Sequence, residues 1–426
     1  MRSLTIHPAK KLSGTISIPG DKSISHRAVM LGAIAEGRTA ACGILECDDC
    51  DYTIRAFRAM GVEISKEGDT TFIDGTGLKG LKKPAGPIDL GESGTSMRIL
   101  AGILAGQDFD TVLTGEASLT KRPMTRIIEP LSLMGARLQT AQGGFPPLEI
   151  QGGTLKAVQY TMPVASAQVK SAILFAGLYA DGVTTVEEKI KSRDHTERMM
   201  KYFGADLTDE GLRVRVKGGG KLSGKTLEIP GDISSASFFM VGASILKGSK
   251  VRMTRVSINP TRAGILNIMS RMGAKVRIAN RTDAFEPYAD IDVESGPTRG
   301  IVIGEEEIPS IIDELPIIFV LAAFSKGTTV IKGAEELRVK ETDRIDSMKE
   351  NLAQMGSAID VSADEIVITG GTPLKGAGLN SFGDHRTCMA MAVAALAADG
   401  KSEIDGIECV TKSFPGFFDV LDSLRK

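Results

Sequence analysis

The chain has 426 residues, more than a single hydrophobic core usually supports, so two or more domains are expected. Its 51 Lys and Arg residues almost balance 53 Asp and Glu residues, which argues against a nucleic-acid coat or a basic membrane binder. The longest apolar runs, such as LPIIFVLAAF at 315–324, are shorter than the ~18 residues that indicate a membrane span. Because the chain as a whole is almost neutral, any strongly basic site must be confined to a small part of its surface.

Cysteine content and the N-terminal sequence bear on the compartment. The cysteines are few and odd in number, which does not suit a secreted disulfide framework and favours a reducing cytoplasm. The stretch MRSLTIHPAKKLSG lacks the apolar segment of a signal peptide. We expect a cytoplasmic protein without membrane or nucleic-acid partners. Its cysteines are Cys42, Cys47, Cys50, Cys388 and Cys409.

Two sets of glycines recur along the chain at intervals of roughly seventy residues, which indicates an internal repeat. The first set follows apolar helical stretches, and we interpret each glycine as the stop just past a helix end. The second set follows amphipathic stretches and precedes alternating, strand-like residues. Each unit is therefore predicted to be strand, helix, strand, helix and two strands, which gives an α/β (α+β) chain of six βαβαββ-like repeats. The first set is Gly37, Gly106, Gly182, Gly248, Gly327 and Gly400; the second is Gly61, Gly135, Gly204, Gly273 and Gly356.

Two similar segments mark where the chain is predicted to cross between domains. They are LSGTISIPGDKS at 12–23 and LSGKTLEIPGDIS at 222–234, and they open the first and fourth repeats. Three repeats make a domain of ordinary size. We predict an inner domain at 20–230 and an outer domain formed by 1–19 and 231–426, with hinges near 13–20 and 226–232.

The segments that precede the first helix of each repeat carry small residues, cations and two carboxylates. A helix N-terminus has unpaired N–H groups and a positive dipole end, so small residues and cations there favour anion binding. Carboxylates among cations suit general acid–base chemistry. The pattern predicts a basic, phosphate-binding cleft with carboxylates inside it. The cations are Lys22, Arg27, Arg98 and Arg386, and the carboxylates are Asp313 and Glu314.

The spacing of residues in the sequence argues against several other kinds of functional site. PGDKS lacks the G-x-x-x-x-G-K-[ST] spacing of a nucleotide-binding P-loop. CDDC, from Cys47 to Cys50, is half a zinc site without a second Cys/His pair. Neither H-E-x-x-H nor G-x-S-x-G occurs, which argues against metalloproteases and serine hydrolases. A repeat scaffold that binds anions without turnover remains an alternative, although the carboxylates argue against it.

Seven motifs, in order along the whole chain, resemble the 5-enolpyruvylshikimate-3-phosphate synthase family: IHPAKKLSGTISIPGDKSISHR, GESGTSMR, KRPMTRI, SAQVKSA, ELRVKETDRI, GDHRTCMAMAVAAL and TKSFPGFF. SAQVK and RPMTRI resemble its bacterial glyphosate-tolerant branch more than the enteric or plant branch. The resemblance implies the two-domain enolpyruvyl transferase fold, with the active site in the cleft between domains. It also implies transfer of enolpyruvyl from phosphoenolpyruvate to the 5-hydroxyl of shikimate 3-phosphate, by a monomer that needs neither a metal nor an organic cofactor.

The resemblance also implies roles for individual residues. Asp313 would take the hydroxyl proton, and Glu341 with Lys22 would protonate the methylene carbon. Shikimate 3-phosphate would be held by Lys22, Ser23, Arg27, Ser166, Ala167, Gln168, Ser192, Asp313 and Lys340. Phosphoenolpyruvate would be held by Lys22, Gly94, Arg122, Gln168, Arg344, Arg386 and Lys412.

Four positions depart from the common pattern of this family: Glu92, Ala167, His195 and Glu336. Each could loosen one hydrogen bond to shikimate 3-phosphate. The alternative acceptor is a UDP-amino sugar, used by the sister UDP-N-acetylglucosamine enolpyruvyl transferases. Their first helix begins with a sequence more like SGAKN, and they commonly carry a reactive cysteine before the RP motif. Here the corresponding segment, LTGEASLTKRPM, contains none.

Overall fold

The computed structural model describes residues 2–362 and 365–426. Its α-helices are α1 (Lys22–Ile34), α2 (Asp48–Ala59), α3 (Gly94–Ala105), α4 (Thr125–Leu133), α5 (Ala167–Gly177), α6 (His195–Phe203), α7 (Ile233–Ile245), α8 (Gly264–Arg271), α9 (Ile308–Ile311), α10 (Leu315–Phe324), α11 (Arg344–Gln354), α12 (His385–Ala397) and α13 (Phe417–Leu424). Short 3-10 helices span Glu305–Glu307, Glu335–Val339 and Ile407–Lys412.

The strands are short, as expected for repeats of this length. They are β1 (Ser3–Ile6), β2 (Ser13–Ser17), β3 (Glu36–Cys42), β4 (Glu63–Glu67), β5 (Thr70–Thr76), β6 (Ile88–Asp89), β7 (Thr111–Thr114), β8 (Arg137–Ala141), β9 (Phe145–Gln151), β10 (Leu155–Lys156), β11 (Gln159–Thr161), β12 (Ala180–Asp181), β13 (Val183–Glu187), β14 (Leu207–Asp209), β15 (Arg213–Lys217), β16 (Thr226–Glu228), β17 (Lys250–Ser257), β18 (Lys275–Thr282), β19 (Tyr288–Glu294), β20 (Val302–Ile303), β21 (Gly327–Lys332), β22 (Ala358–Val361), β23 (Glu365–Gly370), β24 (Gly378–Asn380) and β25 (Ser402–Asp405).

The chain divides into two compact units. One is continuous and spans Gly20–Ile229; the other is discontinuous and combines Met1–Pro19 with Pro230–Lys426. Within the described residues, no helix has the length and apolar character that crossing a membrane requires.

Four-stranded sheets with the same strand order and directions recur in both units. In the sheet β6-β7-β9-β8, β6 runs parallel to β7, whereas β9 is antiparallel to both of its neighbours. The sheets β16-β3-β5-β4, β11-β13-β15-β14, β2-β17-β19-β18 and β20-β21-β23-β22 repeat this order. Along the chain, one helix follows the first strand of each repeat and another helix follows the second strand, before the last two strands. The predicted βαβαββ order is therefore confirmed for these five repeats, whereas the sixth lacks the final pair of strands among the described residues.

Distant strands complete several sheets. The last strand of the continuous unit, β16, pairs in parallel with β3 and so joins the first repeat. In the discontinuous unit, β2 pairs in parallel with β17. The sixth sheet has the order β1-β25-β24, and its antiparallel strand β1 comes from the beginning of the chain. Each unit is thus closed by a strand that is remote in sequence from its partner.

The first helix of each repeat lies in the centre of its unit. In the discontinuous unit, α7, α10 and α12 pack on one another, and α7 and α10 also pack on the sheets that follow them. In the continuous unit, α3 packs on both α1 and α5. These helices are apolar on nearly every side because they are buried on nearly every side, as in a large protein core. Their N-termini carry the polar residues that the sequence analysis singled out.

The two sets of glycines have different roles. At the second set, each second helix ends in a Schellman turn, for example with Val62 N–H bonded to Phe57 O at 3.1 Å around Gly61. The interpretation of the first set as stops just past the helix end is confirmed for Gly106 and was wrong for the other five. Gly106 caps α3 with a right-handed φ of −89°, and the other five lie farther on, at or near the start of the next strand, where their φ is positive. Those five glycines serve the turn into a strand rather than the helix end.

The Phe417→Ala variant tests the core of the discontinuous unit. Phe417 is fully buried, and its ring centroid lies 5.5–5.8 Å from those of Phe238, Phe239 and Phe414. We expect the free energy of unfolding to fall by about 3–5 kcal/mol, because a cavity replaces the ring. The measurement is chemical unfolding followed by circular dichroism. The matched control is Phe418→Ala on the same helix, which is only partly buried; equal losses from both variants would contradict this account.

Candidate functional site

At the N-terminus of the first helix of most repeats, fewer backbone N–H groups are available to bind an anion than the sequence suggested. Asp21, Asp232 and Asp384 are the N-cap residues of α1, α7 and α12, and each side chain accepts hydrogen bonds from backbone N–H groups of the first turn. Ser93 and Ser166 cap α3 and α5 in the same way. The side-chain oxygens of these N-cap residues already accept hydrogen bonds from some of the backbone N–H groups. The positive potential at the helix starts must therefore come mainly from cationic side chains.

Lys22 begins α1 and is held by a carboxylate from the next helix. Its Nζ lies 2.9 Å from Asp49 Oδ2, and the side chains are 15% and 14% exposed. Ser23, the next residue, is half-buried, and its carbonyl accepts a hydrogen bond from Arg27. Lys22 and Ser23 are therefore held close to the same end of α1.

His26 does not add to the positive charge of this segment. It is buried, and burial lowers the pKa of its imidazole from 6.5 to about 3, so the ring is neutral near pH 7. Its Nδ1 lies 2.8 Å from Thr53 Oγ1, which in turn lies 2.6 Å from Ser96 Oγ. This chain of polar atoms joins α1, α2 and α3.

Arg27 joins three elements of the continuous unit. Its Nε donates to Thr196 Oγ1 at 2.6 Å, its Nη2 to Ser171 Oγ at 2.8 Å and its Nη1 to the carbonyl of Ser23 at 2.9 Å. The guanidinium is nearly fully buried. These contacts hold α1 against α5 and α6 and fix the backbone at Ser23.

Two guanidinium groups converge over the start of α3. A Cβ added at Gly94 would lie 2.8 Å from Arg122 Nη1 and 2.9 Å from Arg98 Nη1, so any larger residue would force these cations to move. Arg98 Nη1 also donates to Gln168 Oε1 at 2.7 Å, and Gln168 Nε2 donates to Thr95 Oγ1 at 3.0 Å. The structure thus brings together Gly94, Arg122 and Gln168, with Arg98 as a further member of the cluster.

Ser166 and Ala167 lie at the N-terminus of α5, one turn before a buried ionic cluster centred on Lys170. Lys170 Nζ lies 2.7 Å from carboxylate oxygens of both Glu188 and Glu197, and these side chains are at most 1% exposed. Lys170 Nζ also donates to the carbonyl of Ser192 at 3.2 Å, while both the N–H and the hydroxyl of Ser192 donate to Glu188. The cluster therefore sets the position of Ser192.

Opposing effects act on the charges of this cluster. Burial by itself would lower the pKa of Lys170, but the carboxylates of Glu197 and Glu188 outweigh it and raise that pKa above its ordinary value. Burial raises the pKa of Glu197, and the ammonium of Lys170 only partly offsets this. Lys170 therefore stays protonated at neutral pH.

In the discontinuous unit, Asp313 faces three arginines. Its carboxylate oxygens lie 3.4 Å from Arg344 Nη1, 3.5 Å from Arg386 Nη2 and 3.7 Å from Arg262 Nη1. Arg386 Nη1 also donates to the backbone carbonyl of Asp313 at 3.1 Å. The Asp313 side chain is 17% exposed, so it lies at the edge of this cationic group. Neighbouring Glu314 is fully buried and accepts a hydrogen bond from a serine hydroxyl of α7.

Arg344 links Asp313 to the other carboxylate predicted to be catalytic. Its Nη2 lies 2.6 Å from Glu341 Oε2, and its Nε lies 2.9 Å from Asp384 Oδ2. The arginine is 1% exposed. Burial opposes its charge, but Asp384, Glu341 and Asp313 together raise the pKa of Arg344 further above its ordinary value. The structure therefore brings Asp313, Glu341, Arg344 and Arg386 into one connected group.

Two lysines lie close to this group. Lys340 is half-buried and immediately precedes Glu341; burial, partly offset by Asp313, lowers its pKa from 10.5 to about 8. Lys412 ends the 3-10 helix Ile407–Lys412, and its Nζ donates to the carbonyl of Gly383 at 3.0 Å. Gly383 lies three residues before Arg386, so Lys412 is tied to the segment that leads into α12.

Sequence reasoning missed several members of these groups. Arg262 donates to Asp232 and Ser234 and faces Asp313, yet its segment NPTRAG showed no recognisable motif. Asp384 belonged to a quoted motif but received no role; an aspartate directly before a helix is the usual sign of an N-cap. The partners of Lys170 were missed because they lie in different elements of the chain.

Comparisons with known proteins agree along the whole chain. The model of the family described as EPSP synthase (3-phosphoshikimate 1-carboxyvinyltransferase) matches residues 6–421. A protein named 3-phosphoshikimate 1-carboxyvinyltransferase from Desulforamulus reducens is 51% identical over 423 residues, which cover 98% of each chain. One of the same name from Methylococcus capsulatus is 51% identical over 425 residues, or 99% of this chain and 97% of that protein.

Solved structures give the same result for the fold. EPSP synthase from Acinetobacter baumannii matches with a TM-score of 0.89 and 46% identity, covering 100% of this chain and 98% of that one. The enolpyruvyl transferase NikO from Streptomyces tendae matches with a TM-score of 0.80 over 99% of this chain and 96% of that one. At 16% identity, the second match concerns the fold alone.

The Lys170→Met variant tests the buried ionic cluster. Removing the ammonium leaves two buried carboxylates uncompensated, so we expect the free energy of unfolding to fall by about 3–5 kcal/mol. The matched control is Lys191→Met, because Lys191 also faces Glu197, at 3.8 Å, but is 24% exposed; there we expect a loss of about 0–1 kcal/mol. Chemical unfolding compares the two, and equal losses would contradict a structural role for Lys170.

Proposed function

This chain belongs to the EPSP synthase family, and from that membership we propose which of its side chains hold the substrates and which move protons. The enzyme transfers the enolpyruvyl group of phosphoenolpyruvate to the 5-hydroxyl of shikimate 3-phosphate and releases phosphate. This reaction belongs to the shikimate pathway, which supplies aromatic amino acids.

The choice of acceptor is directly testable. The family match and the relatives at about half identity support shikimate 3-phosphate over UDP-N-acetylglucosamine. Phosphate release from phosphoenolpyruvate should therefore depend on shikimate 3-phosphate. Release with UDP-N-acetylglucosamine alone would identify the alternative enzyme, and release with neither acceptor would favour an anion-binding scaffold.

For shikimate 3-phosphate, the proposal rests on side chains held at helix starts. The cluster of Lys170 and Glu188 supports a fixed position for Ser192, and Arg27 supports the backbone at Ser23. Fixed donors lose little conformational freedom on binding and so favour affinity. The proposed contacts are Lys22, Ser23, Arg27, Ser166, Ala167, Gln168, Ser192, Asp313 and Lys340.

For phosphoenolpyruvate, the proposal rests on clustered cations. Its phosphate and carboxylate need several cationic donors, and guanidinium groups suit both because they can form paired hydrogen bonds. The absence of a side chain at Gly94 supports close approach of such a ligand to Arg122. The proposed contacts are Lys22, Gly94, Arg122, Gln168, Arg344, Arg386 and Lys412.

The proposed proton transfers rest on one observation: the carboxylates of Asp313 and Glu341 both pair with the buried guanidinium of Arg344. We assign Asp313 as the base that takes the proton of the 5-hydroxyl, whose oxygen then bonds to C2 of phosphoenolpyruvate. Glu341, with Lys22, delivers a proton to the methylene carbon, which gives a tetrahedral intermediate. Loss of a methyl proton and departure of phosphate complete the elimination, so a group that donated a proton takes one back.

We also propose that the enzyme is a monomer in the cytoplasm. All five cysteines are free thiols in the described structure, which suits a reducing compartment. Tolerance of glyphosate, inferred from the SAQVK and RPMTRI motifs, stays a prediction that a steady-state inhibition curve decides.

Asp313→Asn and Glu341→Gln test the acid–base assignment. Each keeps the size of the side chain but removes its ability to exchange the proton, so we expect kcat to fall by about 10²–10⁴-fold. Binding of phosphoenolpyruvate, measured by calorimetry, should change much less. The control is Asp346→Asn, an exposed carboxylate on α11 that also pairs with an arginine. Near-wild-type turnover in either variant would remove that residue from the mechanism.

Lys340 should make substrate binding depend on pH. Its pKa of about 8 means that the ammonium form, which attracts the anionic substrate, predominates below pH 8 and is lost as the pH rises. Affinity for shikimate 3-phosphate, measured by calorimetry from pH 7 to 9.5, should therefore fall through pH 8. Lys340→Arg keeps its charge throughout, so this step should disappear. A step that persists in Lys340→Arg would assign it to another group.

A further inference from the structure

We propose that Cys47 and Cys50 are a modification site: small disulfides oxidise this dithiol to a Cys47–Cys50 disulfide, and the bond weakens binding of shikimate 3-phosphate through Asp49 and Lys22. The effect on the substrate rests on the proposed role of Lys22, whereas formation of the disulfide does not.

The two cysteine side chains already pack in one small cluster. Cys47 is the N-cap residue of α2 and Cys50 is the third residue of that helix, so one turn separates them. Both are buried, and with Leu45 they form a small apolar cluster. The neighbouring thiol of Cys47, together with burial, raises the pKa of Cys50 well above its ordinary value. No large movement of the backbone is needed to bring the two sulfur atoms together.

One of the two residues between them, Asp49, holds a proposed substrate-binding cation. Asp49 lies in the same helical turn, and its Oδ2 is 2.9 Å from Lys22 Nζ. The carbonyl of Asp49 also accepts a hydrogen bond from Thr53, whose hydroxyl contacts the imidazole of His26 on α1. Helix α2 is therefore attached to α1 at Lys22 and, through Thr53, at His26.

Forming the bond must disturb this turn. Atoms of packed, non-bonded side chains approach to about 4.0–4.5 Å, whereas a disulfide bond is about 2.05 Å long. The difference must be absorbed by rotation of the two side chains and by movement of the turn that carries Asp49. Displacements of about 1 Å near reacting groups can lower rates by ~10²-fold, so even a partial shift of Lys22 is measurable.

The chemistry is a balanced thiol–disulfide exchange with glutathione disulfide as the oxidant. Cys47 is more exposed than Cys50, so its thiolate attacks first, forms a mixed disulfide and releases one glutathione. Cys50 then attacks the Cys47 sulfur and releases the second glutathione. Two electrons pass to glutathione disulfide, and the two thiol protons end on the two glutathione thiols.

The test equilibrates the whole enzyme in glutathione buffers of increasing oxidation, followed by alkylation and peptide mapping. We expect the peptide with Cys47 and Cys50 to lose two hydrogen atoms and become resistant to alkylation, reversibly with dithiothreitol. Affinity for shikimate 3-phosphate, measured by calorimetry on the same samples, should fall about threefold or more. A peptide that keeps both free thiols under the most oxidising buffer overturns the proposal.

The chain offers a matched control, because Cys388 and Cys409 are a second pair of buried, neighbouring thiols. The Cys388→Ser/Cys409→Ser variant should keep the full response to oxidation, whereas Cys47→Ser should lose it. Loss of the response in the first variant, or a disulfide at 47–50 with unchanged affinity, contradicts the link to Lys22. Reduced Lys22→Met enzyme with normal affinity would remove the role of Lys22, while peptide mapping would still decide whether the disulfide forms.

Discussion

The burial of one guanidinium, that of Arg344, determines much of the geometry in the discontinuous unit. An arginine that is 1% exposed needs carboxylate partners, because the cost of removing a charge from water is several kcal/mol. Asp384 meets that need while also capping α12, so the charge of the arginine and the start of a helix depend on the same side chain. Asp313 and Glu341 then occupy the remaining donors, and their separation follows from the fixed width of a guanidinium group.

The continuous unit uses the same principle with different residues. Lys170 is the buried cation there. It pairs with Glu188, which in turn accepts a hydrogen bond from the backbone N–H of Ser192. The repeats in the two units share strand order, helix order and Schellman turns, yet they differ in the charges placed at the helix starts. The scaffold is thus repeated, whereas the charged side chains at the helix starts differ, so one repeated fold can carry different chemistry.

Features encoded over a few residues could be predicted from the sequence. The repeat was visible because each second helix needs a left-handed residue at its end, and glycine meets that need at little steric cost. Five glycines of the first set were misplaced because a glycine that starts a strand looks the same in sequence as one that ends a helix. The partners of Asp313 and Lys170 could not be predicted, because they come from separate elements and no local periodicity encodes such pairs. The motifs found Arg344, but only the structure revealed that it joins the two carboxylates.

The pairing of β1 with β25 has a consequence for synthesis of the chain. The hydroxyl of Ser3 donates to Asp405 at 2.7 Å across a sequence separation of 402 residues. At translation rates of about 5–20 residues per second, β1 waits on the order of tens of seconds for its partner to leave the ribosome. The unit Gly20–Ile229 needs no strand from outside its own segment of the chain, since β16 closes it from within. The discontinuous unit therefore assembles last, and its N-terminal strand stays unpaired until β25 is available.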